Sequence, residues 1–310
     1  MRSVLDRIRR PRADAPAGPA LDLDEVRAWC QRSRPLFIVG LARSGTSMLQ
    51  VAFAQHPTMF DIANCRETFI FLRPRQPYED PVHFPTRAYL KGRPNLMALR
   101  EWVGPHEQQH GPLSEADAIR AFFHFAGTRV YPDRHPLEKT PGHLRKLDLI
   151  FEIFPQARIL VCSRDPVDVV ASYRKRLAKA RAEGEPPEKT AWLDKSVDEM
   201  IGVFDRFTRL VNEALPRHGS SMYMAPYDWL IGDPEASIRA ICEFADMEFV
   251  PQMVAAEASG SKADGTAQKS HAIQRRASDA HTVMTAEEIE RVQSACAAWL
   301  PQWSTPGVLR

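Results

Sequence analysis

Two stretches of the chain carry residue types suited to holding an anion. The first is Gly40-Leu41-Ala42-Arg43-Ser44-Gly45-Thr46-Ser47. It follows Leu36-Phe37-Ile38-Val39, a buried strand by length and branching, and precedes a helix expected over Thr46 to Gln55. Backbone N–H groups in such a loop, with a helix N-terminus behind them, cradle phosphate-like oxygens. The spacing fits the frame GxxxxGK[ST], except that Thr46 stands where the frame has lysine. So the anion cradle is present and the lysine that serves nucleoside triphosphates is missing. Thr46 and Ser47 offer hydroxyls, and Arg43 offers a charge inside the loop. The plain alternative is a glycine turn between strand and helix.

The second stretch holds Arg164, Ser172 and Arg176. Arg158 to Ser163 reads as another buried strand, and Asp165-Pro166 starts a helix with Asp as its cap and Pro at its first position. Arg164 then sits at the C-terminal end of a strand, where open α/β sheets bind ligands. Ser172 and Arg176 are four apart and share one helix face. Two guanidinium groups and a hydroxyl converging there suit an isolated phosphate. The alternative is a capped helix with an exposed basic face.

Taken together, the two stretches resemble a family. FIVGLARSGTSML resembles the 5′-phosphosulfate loop of the sulfotransferases, with Ala42 where Pro often precedes the loop Arg. RILVCSRDPVDVVASYRKR resembles their 3′-phosphate motif. EKTP and YDWLIGDPEASIRAICEFADM are similar to that family too, especially the branch of the tyrosylprotein sulfotransferases and many bacterial enzymes. The likeness covers about Pro35 to Met247. It implies a P-loop NTPase-like three-layer α/β fold with a central parallel sheet. It also implies 3′-phosphoadenosine 5′-phosphosulfate (PAPS) as donor cosubstrate, with no metal. Arg43, Ser44, Gly45, Thr46 and Ser47 would hold the 5′ side, and Arg164, Ser172 and Arg176 the 3′-phosphate. Tyr227, which ends a third strand, matches a tyrosine that contacts the nucleotide. A sulfuryl donor does not need the Mg²⁺ that bridges β- and γ-phosphates in kinases, so the absent lysine is informative.

An acceptor hydroxyl needs a general base within hydrogen-bond reach. Glu67, in Asn64-Cys65-Arg66-Glu67-Thr68, is the best candidate. In the branch named above, a glutamate before a Thr at this place is the base. A surface Glu paired with Arg66 or Arg73 is the alternative, and His143 in KTPGH is the second candidate base. Lys139 is the natural cation for the transferring sulfuryl group and the bridging oxygen, a role shared with Arg43. SGSKADGTAQKS resembles a loop that closes over the donor in relatives, with Ser261 and Lys269 as candidate contacts, though an ordinary polar loop fits better.

Other elements must position these residues. Helices are expected over Leu21 to Gln31, Ser114 to Ala126, Leu144 to Phe154, Ser196 to Leu215, Pro234 to Ala245 and Thr285 to Trp299. Thr58 to Ile62 and Ser221 to Pro226 read as strands. Otherwise Arg66 to Pro141 reads as loop-rich, and the charged AKARAEGEPPEKT stretch as a mobile loop. Strands alternating with helices argue a parallel α/β sheet. Residues 1–20 read as a disordered basic tail and 21–310 as a single domain.

Composition bounds the rest. Lys and Arg number 41 and Asp and Glu 39, so a net charge of +2 argues against a bulk nucleic-acid binder. No apolar run approaches the roughly 18 residues of a membrane span, and the N-terminal charges lack the apolar stretch of a secretory signal. A cytoplasmic enzyme is expected. The five cysteines lie too far apart in sequence for zinc knuckles or CxxC pairs, and the histidines show no ligand spacing. The rival classes are a P-loop kinase-like phosphotransferase using ATP and Mg, and a non-catalytic anion- or nucleic-acid-binding module. The acceptor, a small molecule, a carbohydrate or a peptide tyrosine, should be shaped by Phe69 to Pro141 and by the loop at Ala180 to Thr190. The first stretch includes Arg73, Arg75, Tyr78, His83, Arg87, Tyr89 and Trp102. Oligomeric state is not legible.

Overall fold

Alternate residues of the first strand go to opposite sides of one sheet, as a pleated strand requires. Phe37 and Val39 enter one apolar cluster, while Leu36 and Ile38 enter another. The computed structural model describes residues 20–64, 66–74, 90, 93–254 and 279–309. In chain order its elements are α1 (Leu23–Arg32), β1 (Leu36–Gly40), α2 (Thr46–Ala54), β2 (Met59–Asp61), α3 (Arg93–His110), α4 (Glu115–Phe125) and β3 (His135–Lys139). Then come α5 (Leu147–Ile153), β4 (Arg158–Ser163), α6 (Pro166–Ala182), α7 (Pro187–Thr190), α8 (Val197–His218) and β5 (Met222–Pro226). The last are α9 (Tyr227–Gly232), α10 (Pro234–Phe244), α11 (Ala286–Cys296), α12 (Leu300–Ser304) and β6 (Gly307–Val308).

The sheet order is β2-β3-β1-β4-β5-β6. The first five strands run parallel, and only β6 runs against its neighbour, pairing Tyr223 with Val308. One face packs on α2 and α10 through Leu49, Phe53, Ile238 and Ile241. The other packs on α1, α3, α4, α5, α6, α8 and α11. These are three layers, helices on both faces of a mostly parallel sheet.

The expected capping devices are present. Asp165 accepts from the N–H groups of Val167 (2.8 Å) and Asp168 (3.2 Å), so α6 starts immediately after Arg164. Thr285 and Glu288 form a reciprocal capping box on α11. Ser114 caps α4 through the N–H of Asp117.

Four expectations need correction. His135–Lys139 is a strand, not loop, and it lies between β1 and β2. Its sequence, HPLEK, lacks the branched apolar run that marks β1 and β4. Arg93–His110 is a helix despite Pro105 within it. The expected helix from Leu144 starts later, at Leu147, because Pro141–Lys146 winds as a 3₁₀ turn that includes His143. The charged AKARAEGEPPEKT stretch is helical to Ala182, turns, and winds again as α7, so it is not a loop throughout. Gly184 takes φ +69°, the Glu185 N–H returns to the carbonyl of Ala180 (2.9 Å), and Arg176 holds the Glu185 carboxylate at 2.6 Å. Residues 1–19, Cys65, Arg75, Tyr78, His83, Arg87, Tyr89, Ser261 and Lys269 lie outside the described residues.

Candidate active site

The loop after β1 is shaped by two glycines. A Cβ on Gly40, at φ +124°, would lie 2.3 Å from the Cys162 carbonyl oxygen on β4. A Cβ on Gly45, at φ +90°, would lie 2.9 Å from the Tyr227 ring. Gly45 is also the N-cap of α2 and supplies no capping side chain, so the positive end of that helix faces the loop. Buried Ser44 donates to the Leu41 carbonyl at 2.5 Å and stiffens the turn. Thr46 is buried and Ser47 exposed at the first turn of α2.

Arg43, itself in the left-handed region at φ +71°, turns toward α6 and donates from Nε to Ser172 Oγ at 3.1 Å. Arg164 Nη1 reaches the Arg43 carbonyl (3.4 Å) and Nη2 the Asp168 carboxylate (3.2 Å). The Arg164 guanidinium lies over the Tyr227 ring at 4.2 Å, a cation–π contact. Tyr227 is the first residue of α9, just past the strand it was expected to end, and it touches both the loop and Arg164. Desolvation pushes the Arg43 guanidinium below its ordinary value, and the neighbouring charges of Arg176 and Arg164 add to it. Two guanidinium nitrogens, Arg164 Nε and Arg176 Nη1, are buried with no hydrogen-bond partner. Arg176 keeps its other terminal nitrogen on Glu185, so it enters the site partly committed. The two sequence motifs, 129 residues apart at the Arg43–Ser172 contact, therefore meet at one place.

Glu67 and Lys139 meet beside this cradle. Lys139 ends β3 at 3% exposure and donates from Nζ to Glu67 Oε1 at 3.1 Å. The Glu67 side chain is about a third exposed, at 35%. Tyr173 on α6 links the halves. Burial pushes its hydroxyl up, Arg43 pulls it down and Glu67 pushes it up again, so it lies within electrostatic reach of both. Trp192 packs its ring against Tyr173 at 5.4 Å. Trp192 and Phe69 are two of the three large apolar side chains left exposed among the described residues, at 48% and 41%.

His143 is placed differently. It is fully buried, donates from Nδ1 to the Glu138 carboxylate (2.9 Å), and packs edge-on against Phe71. Sequence reasoning overlooked Glu138, Thr68, Thr140, Tyr173 and Trp192. EKTP contains two of these and Thr68 adjoins Glu67, but their function depends on contacts 70 residues apart.

Among the described residues, no group of three or more His, Cys, Asp or Glu gathers to hold a metal ion, and no helix is long and apolar enough to cross a membrane. Cys30, Cys162, Cys242 and Cys296 are buried free thiols, and burial pushes Cys30 and Cys296 up to about 12.

A mostly parallel sheet with a glycine loop between its central strand and a helix, and with basic side chains gathered at the strands' C-terminal ends, defines a P-loop NTPase-like fold. Within that class the chain belongs to the sulfotransferase family, whose model matches residues 35–251. It is an enzyme, a transferase of sulfuryl groups, and the kinase alternative is less well supported. No curated protein matches. Solved structures share the fold at low identity. The sulfotransferase domain of the Synechococcus PCC 7002 olefin synthase is 17% identical, with TM-score 0.53, covering 86% of this chain and 96% of that one. The sulfotransferase domain from the curacin biosynthetic pathway is 16% identical, with TM-score 0.50 and coverage of 86% and 98%. Sulfotransferase STF9 from Mycobacterium avium is 16% identical, with TM-score 0.50 and coverage of 92% and 83%. Neither the family model nor these structures select the tyrosylprotein branch.

Proposed function

We propose that this enzyme uses PAPS as its donor and passes the sulfuryl group to an acceptor hydroxyl, with Glu67 as general base. The observation that carries the donor assignment is the pair of buried, unpartnered guanidinium nitrogens on Arg164 and Arg176, beside Arg43 and an uncapped helix N-terminus. Buried cationic donors left unsatisfied are costly, and an anion with several oxygens satisfies them. The residues fit a ligand with two anionic ends. Gly40 to Ser47 form one cradle, and Arg164, Ser172 and the open nitrogen of Arg176 form another. When bound, the donor supplies an activated sulfuryl group and a bisphosphate leaving group.

The chain's own residues do the rest. Glu67, partly exposed, takes the acceptor's proton. Lys139, buried at the end of β3, and Arg43 stabilise negative charge that grows on the bridging oxygen. His143 has no exposed face from which to meet an acceptor, which favours Glu67 of the two candidate bases. Phe69, two residues after Glu67, and Tyr173 with Trp192 packed on its ring favour an acceptor with an apolar or aromatic body. A cytoplasmic setting agrees with the free cysteines.

Calorimetry tests the donor assignment. Adenosine 3′,5′-bisphosphate should bind without metal, and ATP·Mg²⁺ weakly. Binding of ATP·Mg²⁺ alone reverses the reading.

A further inference from the structure

Glu138 has no exposed surface, and its side chain lies on the face of β3 opposite Lys139. Its Oε1 accepts from two hydroxyls, Thr68 Oγ1 at 2.8 Å and Thr140 Oγ1 at 2.6 Å, while Oε2 meets His143 Nδ1 at 2.9 Å. Burial pushes this carboxyl up, but His143 and the hydroxyls of Thr140 and Thr68 outweigh it and hold the group below its ordinary value. A carboxylate kept in the interior is costly to build, and apolar residues would fill the space at less cost. Its two hydroxyl partners are notable by position. Thr68 directly follows Glu67, and Thr140 directly follows Lys139. Thr140 Oγ1 also accepts from the N–H groups of Thr68 (3.1 Å) and Phe69 (3.4 Å), and Thr68 Oγ1 from that of Ile70 (3.1 Å). Phe69 sits at φ +54°, a conformation a bulky residue keeps only when its surroundings impose it.

We infer that Glu138, acting through Thr68 and Thr140, is a positioning residue that fixes where the Glu67 carboxylate stands relative to Lys139. One carboxylate oxygen holds the neighbour of each member, so the pair is tied twice: once directly, and once through the backbone on which each side chain is mounted. The inference rests on the reading of Glu67 as base. A base displaced by about 1 Å loses up to about 10²-fold in rate, so such a tie belongs beside one.

The test uses the whole chain with Thr140→Val, which removes the hydroxyl at nearly constant shape, and Thr140→Ser, which keeps it. Turnover is read as bisphosphate released from PAPS, with benzyl alcohol, a weakly acidic hydroxyl that depends on a base, as probe acceptor and with water alone. Thr140→Val should lower kcat about 10- to 100-fold. Bisphosphate affinity should stay within about twofold, because the cradle is elsewhere, and Thr140→Ser should restore most of the rate. In a Glu67→Gln background the same change should cost less than about threefold, since its route through Glu67 is already gone. An equal loss in both backgrounds, or normal turnover of Thr140→Val, overturns the proposal. Near-normal turnover of Glu67→Gln alone overturns instead the assignment of the base. Amide hydrogen exchange over residues 66–70 reads the anchor without any acceptor. It should quicken about tenfold or more in Thr140→Val, and unchanged exchange also overturns the proposal. Should Thr140→Val fail to fold, Thr68→Val removes the other hydroxyl on the same oxygen and is read in the same ways.

Discussion

Where β1 and β4 end, three guanidinium groups gather: Arg43, Arg164 and Arg176. Asp168 and Glu185 are the carboxylates that hold two of them, and two nitrogens remain buried without partners. Where β2 and β3 end, carboxylates meet most of the donors: Lys139 lies on Glu67 and His143 Nδ1 on Glu138, while His143 Nε2 is buried with no hydrogen-bond partner among the described residues. The first region leaves guanidinium donors open where the donor is proposed to bind, so substitutions there should register as changes in ligand affinity. The second surrounds the proposed base, so substitutions there should register in the chemical step.

The largest effect expected from this contrast is at Glu67. Glu67→Gln keeps the shape and removes the basicity, so kcat should fall by about 10²–10⁴ with donor affinity nearly unchanged. Steady-state kinetics with bisphosphate calorimetry check both halves of that statement. Lys139→Ala should follow, lowering kcat by about 10²–10³ through lost charge stabilisation. A phenol of low pKa needs less help losing its proton, so it should rescue Glu67→Gln more than Lys139→Ala. Equal rescue would blur the division of labour between the two residues.

Smaller effects belong to the cationic region. Arg164→Ala should weaken bisphosphate binding about tenfold or more, and Ser172→Ala about two- to tenfold, with little change in kcat at saturating donor. Unchanged affinity in both variants would remove the 3′-phosphate assignment.

The smallest effect concerns how α11 is fastened to α6. The bidentate Arg174 guanidinium, then the Thr285 N–H, hold the Glu288 carboxyl down at about 2. A depressed carboxyl contributes stability above its unfolded value of about 4.3, and that contribution is lost as pH falls toward about 2. Both side chains are about 30% exposed, so the contribution is small. Glu288→Gln should lower Tm by about 2 °C at pH 7, and the difference should close by about pH 2. Thermal melts across that range check it.

The same contrast explains what could be read from the sequence. Gly40 to Ser47 and Arg164 to Arg176 are contiguous, and each motif carries its own strand end, cap and helix face. Chain-local patterns therefore revealed β1, β4, α6 and the residues that gather around Arg43 and Arg164. β3 could not be read this way. Pro136, Glu138 and Lys139 are not a strand signature, and the segment is held by neighbours β1 and β2 on either side. Nothing near Glu138 in the chain marks it for burial, because its partner Thr68 is 70 residues away. The turn after Ala182 looked mobile from its charge, yet Arg176–Glu185 and Arg181–Asp194 pairs use that charge to fasten it.

β6 bears on a different property, the protein's behaviour at high concentration. Without it β5 would be the rim of the sheet, presenting unsatisfied N–H and C=O groups in a row. Such a rim recruits strands from other molecules and seeds aggregates. Two paired residues, with the Leu309 N–H on the Met222 carbonyl at 3.0 Å, cover it and run opposite to the other strands. Gly307 and Val308, which lie in β6 and not among the residues proposed for the chemistry, thus shield part of the β5 edge from such recruitment.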